Sequence, residues 1–233
     1  MTSHASPDLS PIVPTSPLRI AHRGMPRLAR ENTLPSFQLA MDAGADGLEL
    51  DVHATADGVV VVHHDAVLSD GRAISSLTLA ELRRHEAAPG VPIPTLEELC
   101  ELVSARVTLF VEIKGAGIER QVLERLSSYE GDVAIHSFDH ALIGRLSRLD
   151  PSRRLGILFE DSPARVAHVM ATTGARDVWP HWPLVSPELV SAVHEAGGRV
   201  IPWTVNDQAR ALTLASLGVD ALCGDDVRLL SLE

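Results

Sequence analysis

The sequence contains very little lysine and carries an excess of negative charge. Among its 20 basic residues, Lys114 is the one lysine and the rest are arginines. Against 31 acidic residues these give a formal charge of −11 at pH 7. A nucleic-acid surface needs a basic patch that replaces the counterions of the phosphates. The charge balance therefore predicts no nucleic-acid partner.

Cysteines, long apolar runs and a secretion signal are scarce or missing. Cys100 and Cys223 are the two cysteines, and their wide separation predicts small core residues in a reducing compartment, not a metal site. No apolar run reaches membrane-spanning length. The first residues are rich in serine and proline and lack the apolar segment of a signal peptide. We therefore predict a flexible leader over 1–17, no integral membrane association and a cytoplasmic location.

Short apolar segments alternate with helical patterns along the rest of the chain. Eight strand–helix alternations predict a parallel sheet closed into a (β/α)8 TIM barrel, with 18–233 as a single domain. A doubly wound open sheet is the alternative, but no glycine-rich phosphate loop opens the first helix. The predicted strands are 18–22, 47–52, 107–113, 133–137, 155–159, 177–182, 199–205 and 220–224.

Local turn and capping signals refine this prediction. Asp57-Gly58 is a hairpin signal, so an extra short strand at 59–63 is expected to pair back on the second strand. Thr78–Glu81 and Thr95–Glu98 read as capping boxes that begin helices. Ser186 is expected to cap a helix whose first residue is Pro187.

Polar residues collect at the carboxyl ends of the predicted strands, where barrels normally assemble their active sites. Glu49 and Asp51 lie two residues apart, so their side chains share one face of the second strand. Glu112 and Lys114 share a face of the third strand for the same reason. Three carboxylates converging in the barrel mouth would repel one another unless a cation lay between them.

The convergence of Glu49, Asp51 and Glu112 therefore predicts a divalent metal site. An all-oxygen ligand set favours a hard ion, Mg²⁺ or Ca²⁺. The alternative is that these acids pair with arginines at the barrel rim.

Two histidines at strand ends, His22 and His64, are the natural groups for proton transfer near neutral pH. Arg23 is placed to bind an anion. Trp203 either belongs to the core or forms a wall of a substrate pocket. His63 falls on the opposite strand parity to its neighbour His64, and both His53 and His63 are expected to be structural.

Taken together, these residues resemble the glycerophosphodiester phosphodiesterase family. The resemblance covers nearly the whole chain after the leader. It runs through "IAHRG", "ENTLPSFQLAMDAGADGLELDVHATADGVVVVHHD", "IPTLEELC", "FVEIKG", "HSFD", "WTVN" and "GVDALCGDD". The order His-Arg, Glu-x-Asp and His is the family signature.

The resemblance implies a metal-dependent hydrolysis of glycerophosphodiesters to glycerol 3-phosphate and an alcohol. It implies a metal site at Glu49, Asp51 and Glu112 and an acid–base pair of His22 and His64. It also implies that the phosphate contacts Arg23 and Lys114.

The chain departs from the family pattern in two places. The segment "AVLSDGRAISS" after His64-Asp65 is short, which predicts an open site with different local substrate contacts. "ALCGDD" replaces the usual Ile-Thr-Asp pattern, so no catalytic role is assigned to Asp225 or Asp226.

Three other functions remain open from the sequence. The same chemistry could cleave lysophospholipids on the headgroup side, as a lysophospholipase D does. A non-catalytic barrel could bind phosphodiesters, although such a protein would not need both histidines. A glycosidase with two carboxylates would not explain His22, His64 and Lys114 together. The sequence leaves open the metal, the alcohol, the nucleophile and the oligomeric state.

Overall fold

The computed structural model describes residues 16–161 and 165–232. Most of the predicted leader lies outside the described residues, so its flexibility and the single-domain extent 18–233 stay predictions. The strands are β1 Leu18–His22, β2 Gly47–Ala54, β3 Val60–Val62, β4 Glu86–Ala88, β5 Val91–Pro92, β6 Thr108–Ile113, β7 Val133–Ser137, β8 Arg154–Phe159, β9 Asp177–Pro180, β10 Arg199–Val200 and β11 Ala221–Gly224. The helices are α1 Leu34–Asp42, α2 Leu79–Leu82, α3 Leu96–Val103, α4 Glu119–Leu126, α5 His140–Leu149, α6 Val166–Thr173, α7 Pro187–Glu195 and α8 Gln208–Ser216.

Eight strands of the described chain form a parallel sheet in the order β10, β9, β8, β7, β6, β2, β1, β11. Backbone hydrogen bonds join its two ends. The amide of Asp220 donates to Val200 O at 3.0 Å, and the amide of Cys223 donates to Pro202 O at 3.0 Å. The sheet is thereby nearly closed, which confirms the predicted (β/α)8 barrel.

The short β3 strand pairs antiparallel with β2, as the hairpin signal predicts. Gly58 has a φ of +83°, a conformation that glycine adopts without strain. A second hairpin, β4 with β5, has no counterpart in the sequence prediction. The predicted strand 199–205 is shorter than expected, since regular pairing ends at Val200 and only an isolated bridge joins Trp203 to His181.

Helix starts follow the sequence signals closely. Thr78 and Thr95 both form capping boxes with the glutamate three residues on. Ser186 caps α7, and its hydroxyl accepts a hydrogen bond from Leu189 N.

Because side chains alternate along each strand, one set packs against the surrounding helices and the other fills the barrel interior. The interior set is Ile20, Phe110, Ala134, Leu158, Trp179, Ile201, Ala221 and Cys223.

Both cysteines are buried and unpaired, which agrees with their predicted place in the core. Across the part of the chain that the structure describes, no helix is long and apolar enough to cross a membrane.

Candidate active site

A pocket lies at the carboxyl ends of the barrel strands. Its lining includes seven of the eight residues singled out in the sequence, namely His22, Arg23, Glu49, His64, Glu112, Lys114 and Trp203. Asp51, the eighth, is fully buried beside the pocket. Strand register explains this convergence, because β1 aligns His22 with Glu49 and β2 aligns Asp51 with Glu112.

Two of the carboxylates face the pocket while remaining almost inaccessible. Glu49 is 3% exposed and Glu112 is 7% exposed. Glu49 accepts a hydrogen bond from the amide of Arg23 at 3.1 Å. Burial, followed by the negative charge of Asp51, raises the pKa of Glu112 to about 7. A cation placed against these groups would favour their ionised forms.

Asp51 is surrounded by positive charge. Its Oδ2 lies 3.1 Å from Arg23 Nε and accepts a hydrogen bond from Asn32 Nδ2 at 2.8 Å. Its Oδ1 lies 3.5 Å from Lys114 Nζ. Burial raises the pKa of Asp51, but the charges of Arg23 and Lys114, with the hydrogen bond from Asn32, outweigh burial and hold it below its usual value. Asp51 is therefore ionised in this arrangement.

Lys114 contacts one carboxylate on β2 and one on β6. Its Nζ donates a hydrogen bond to Glu112 Oε1 at 3.1 Å in addition to its contact with Asp51. Burial lowers the pKa of Lys114, but these two carboxylates more than compensate, so the pKa is raised and the side chain stays charged.

Three side chains of the described chain bring donor atoms to within 4.8 Å of one another: Glu49, Glu112 and His136. Two carboxylates and an imidazole in this volume fit a divalent cation. Asp51, expected as the third ligand, points toward Arg23 and Lys114, although its Oδ1 has no hydrogen-bond partner among the described residues. Its role as a ligand stays a prediction. His136 was missing from the predicted ligand set.

His22 lies in a hydrogen-bonded chain. Its Nδ1 is 2.7 Å from Asp225 Oδ1, and Asn206 Nδ2 donates to Asp225 Oδ2 at 2.6 Å. Burial lowers the pKa of His22, but the hydrogen bond to Asp225 and the charge of Glu49 more than compensate, so the pKa is raised. The sequence motifs assign no catalytic role to Asp225. Barrel closure supplies the missing signal, because β11 lies beside β1 and brings Asp225 next to His22.

His64 has a similar partner from its own neighbour. Its Nδ1 lies 2.7 Å from Asp65 Oδ1. The buried ring of His53 contacts the backbone oxygen of His64 through Nε2 at 3.0 Å, so His53 supports the segment that carries His64. His63 contacts the backbone oxygen of Asp65 and does not line the pocket.

One side of the pocket is apolar. Trp203 donates from Nε1 to Trp179 O at 3.0 Å, which fixes its ring at the pocket wall. Phe138 packs edge-on against Trp203 with ring centroids 5.6 Å apart and is 39% exposed. The mouth therefore places an aromatic wall beside the charged groups.

The whole of this region matches one known family. The sequence model of the glycerophosphoryl diester phosphodiesterase family matches residues 22–229. The chain belongs to this family. The family and enzyme class predicted from the motifs, a phosphoric diester hydrolase, are thereby confirmed.

Relatives and solved structures agree with this family assignment. The glycerophosphodiester phosphodiesterase of Caldanaerobacter subterraneus is 32% identical, over 90% of this chain and 94% of that protein. The enzyme of that name from Bacillus altitudinis is 33% identical, over 88% and 93%. The structure of an Oleispira antarctica phosphodiesterase in complex with the product sn-glycerol-3-phosphate is 29% identical, with a TM-score of 0.85 over 92% of this chain and 95% of that one. A glycerophosphodiester phosphodiesterase from Thermotoga maritima gives 27% identity and a TM-score of 0.81, over 91% and 96%.

Asp225→Asn is expected to change the pH dependence of this family member. If protonated His22 donates a proton, activity falls as pH rises through the pKa of His22. The substitution removes the charge and the hydrogen bond that raise this pKa, so the descending limb should move to lower pH. The measurement is kcat against pH. Asp226→Asn is the matched control, because Asp226 pairs with Arg228 at 2.6 Å. An unmoved limb in Asp225→Asn would show that Asp225 does not tune His22.

Proposed function

We propose that the protein hydrolyses glycerophosphodiesters to glycerol 3-phosphate and an alcohol, with a divalent cation and two histidines. The proposal rests on the set of side chains that line one pocket. A single pocket contains a cation-type donor cluster, the cations Arg23 and Lys114, and two histidines whose Nδ1 atoms each contact a carboxylate. A protein that only bound phosphodiesters would not need two such histidines.

The charged side chains of the pocket complement the negatively charged phosphate of a phosphodiester. Glu49 and Glu112 would hold the cation, with His136 and Asp51 as the adjoining donors. A bound divalent cation neutralises phosphate charge and stabilises the charge that develops in the transition state. Arg23 and Lys114 lie on the same pocket. They would contact the remaining phosphate oxygens and thereby share this stabilisation.

The two histidines supply proton transfer. As the nucleophile bonds to phosphorus and the bond to the leaving alcohol breaks, one histidine takes the proton of the nucleophile and the other protonates the departing oxygen. The raised pKa of His22 suits the donor role, which leaves His64 as the acceptor. A carboxylate at Nδ1 orients each ring.

The relatives support this substrate class. The phosphodiester enzymes of Caldanaerobacter and Bacillus carry the same activity in their names, and the Oleispira enzyme contains sn-glycerol-3-phosphate as its product. We propose that the protein works in the cytoplasm on glycerophosphodiesters derived from lipids, and so contributes to lipid and glycerol metabolism.

The aromatic wall favours a second candidate substrate, a lysophospholipid. Phe138 and Trp203 would contact an acyl chain if the pocket mouth admitted one. The test is to incubate the purified protein with a panel of glycerophosphodiesters and matched lysophospholipids and to measure the released alcohol. Turnover of the deacylated substrates supports the proposal. Turnover of the acylated substrates alone would replace it with lysophospholipase D-type cleavage, and no turnover of either would favour a binding barrel.

Removal of divalent cations is expected to abolish turnover. Glu49 and Glu112 face one another in a buried site, and without a cation the negative charge that these carboxylates carry would repel the phosphate. The measurement is activity after treatment with a chelator, and again after the addition of excess Mg²⁺, Ca²⁺ or Mn²⁺. Full activity in the chelated protein would remove the cation from the mechanism.

A further inference from the structure

His136 is the one member of the donor cluster that the family resemblance did not supply. It lies on β7, directly beside Glu112 in the register with β6. Its ring is 1% exposed, and its Nε2 lies 3.8 Å from Glu49 Oε1. That separation is too long for a hydrogen bond. It is short enough for two ligands of one ion, which lie at most about 4.4 Å apart when each bond is about 2.2 Å long.

Packing holds the ring in this position. The imidazole stacks on Trp179, with ring centroids 4.4 Å apart and an angle of 12° between the planes. Gly156 on the next strand leaves room for this stack, since a Cβ there would lie 3.0 Å from His136 Cβ and 2.9 Å from Trp179 Nε1. The barrel therefore accommodates and fixes an imidazole that faces the two glutamates.

Neither nitrogen of the His136 ring makes a hydrogen bond to a residue that the structure describes. Among the described residues, Nδ1 of His136 is buried without a hydrogen bond. The acidic oxygen that lies nearest to Nε2 is Glu49 Oε1, at a distance of 3.8 Å. A buried polar side chain normally finds a partner, because leaving it unpaired is costly. A cation between the imidazole and the two carboxylates would be such a partner for Nε2.

We infer that His136 supplies a nitrogen ligand to the cation held by Glu49 and Glu112, and that this ligand shifts the site toward first-row transition ions. The inference rests on the proposed cation site and names the class of ion. Carboxylate oxygens suit Mg²⁺, Ca²⁺ and Mn²⁺ alike, whereas imidazole adds affinity for Mn²⁺, Co²⁺ and Zn²⁺ and little for the hard ions. The sequence-based choice of Mg²⁺ or Ca²⁺ assumed oxygen ligands throughout.

The test uses Mn²⁺ as the probe and spectroscopy as the readout. The purified protein is loaded with one equivalent of Mn²⁺, and electron spin-echo modulation is recorded for a directly coordinated ¹⁴N. We expect this modulation in the wild-type protein and its loss in His136→Phe, which keeps a ring against Trp179. His136→Asn is the second variant in case the phenyl ring disturbs the fold. His22→Asn and His64→Asn are the controls and should keep the modulation.

Calorimetry then measures ion selectivity in the same proteins. Loss of the imidazole should weaken Mn²⁺ and Co²⁺ binding by at least about 10-fold and leave Mg²⁺ and Ca²⁺ binding within about two-fold. Bound Mn²⁺ without ¹⁴N modulation in the wild-type protein would overturn the inference and leave the proposed cation site intact. Modulation that persists in both His136 variants would also overturn the inference and leave the proposed cation site intact. Failure of the wild-type protein to bind any of these ions would remove the cation site and the inference together.

Discussion

His22→Ala and His64→Ala are each expected to lower turnover by about 10²–10⁴-fold while leaving the fold and cation binding intact. The reason is that each ring lines the pocket and is oriented through Nδ1 by a carboxylate, so its other nitrogen is available to the substrate. Removing one ring forces a proton transfer to proceed without a positioned group. The measurement is kcat on a glycerophosphodiester, together with circular dichroism and Mn²⁺ binding.

His63→Ala is the matched control for this pair. His63 is the immediate neighbour of His64, yet it contacts a backbone oxygen and lies outside the pocket. Its substitution should change turnover only slightly. His53→Ala is expected to lower turnover more than His63→Ala and less than His64→Ala, because the ring of His53 supports the backbone of His64. A greater loss of turnover in His63→Ala than in His64→Ala would mean that His63, and not His64, faces the pocket.

Lys114→Arg is expected to lower turnover nearly as much as Lys114→Ala, although it conserves charge. The ammonium of Lys114 fits between Glu112 Oε1 at 3.1 Å and Asp51 Oδ1 at 3.5 Å. A guanidinium is broad and planar and requires a fork-shaped partner. In this buried space, which already contains the Arg23 side chain, it would displace the carboxylates from the proposed cation site. This geometry also gives a reason for a single lysine in an arginine-rich chain.

The measurement is kcat and KM for both Lys114 variants beside the wild-type enzyme. Arg84→Lys is the control for a charge-conserving exchange, because Arg84 is exposed and does not line the pocket. Near-normal turnover in Lys114→Arg would mean that only the charge matters at this position, and the account of Lys114 would fail.

Strand periodicity was sufficient to predict which of the candidate side chains share a face of a strand. The two-residue spacing of Glu49 and Asp51 places both side chains on the buried inner side of β2, as expected. The same rule brought Glu112 and Lys114 to the pocket. The placement of these side chains follows from the sequence because alternation is a local property of an extended chain.

Contacts between distant segments were not predictable in the same way. The contact between Asp225 and His22 depends on the closure of the barrel, which joins the last strand to the first. His136 was overlooked because a lone histidine at a strand end carries little information until the register beside Glu112 is known. The direction of Asp51 depends on Arg23 and Asn32, which come from the loop after β1. The small β4–β5 hairpin has a turn signal in Pro89-Gly90, but its strands of three and two residues are too short to show an alternating pattern.

The most direct test of the account is ³¹P NMR of glycerophosphoethanolamine incubated with the purified protein. One reaction contains a divalent cation, one contains a chelator, and one contains the chelator followed by excess cation. The account predicts that the phosphodiester signal is replaced by that of glycerol 3-phosphate in the first and third reactions and persists in the second. Formation of phosphoethanolamine in place of glycerol 3-phosphate, or an unchanged phosphodiester signal with the cation present, would contradict it.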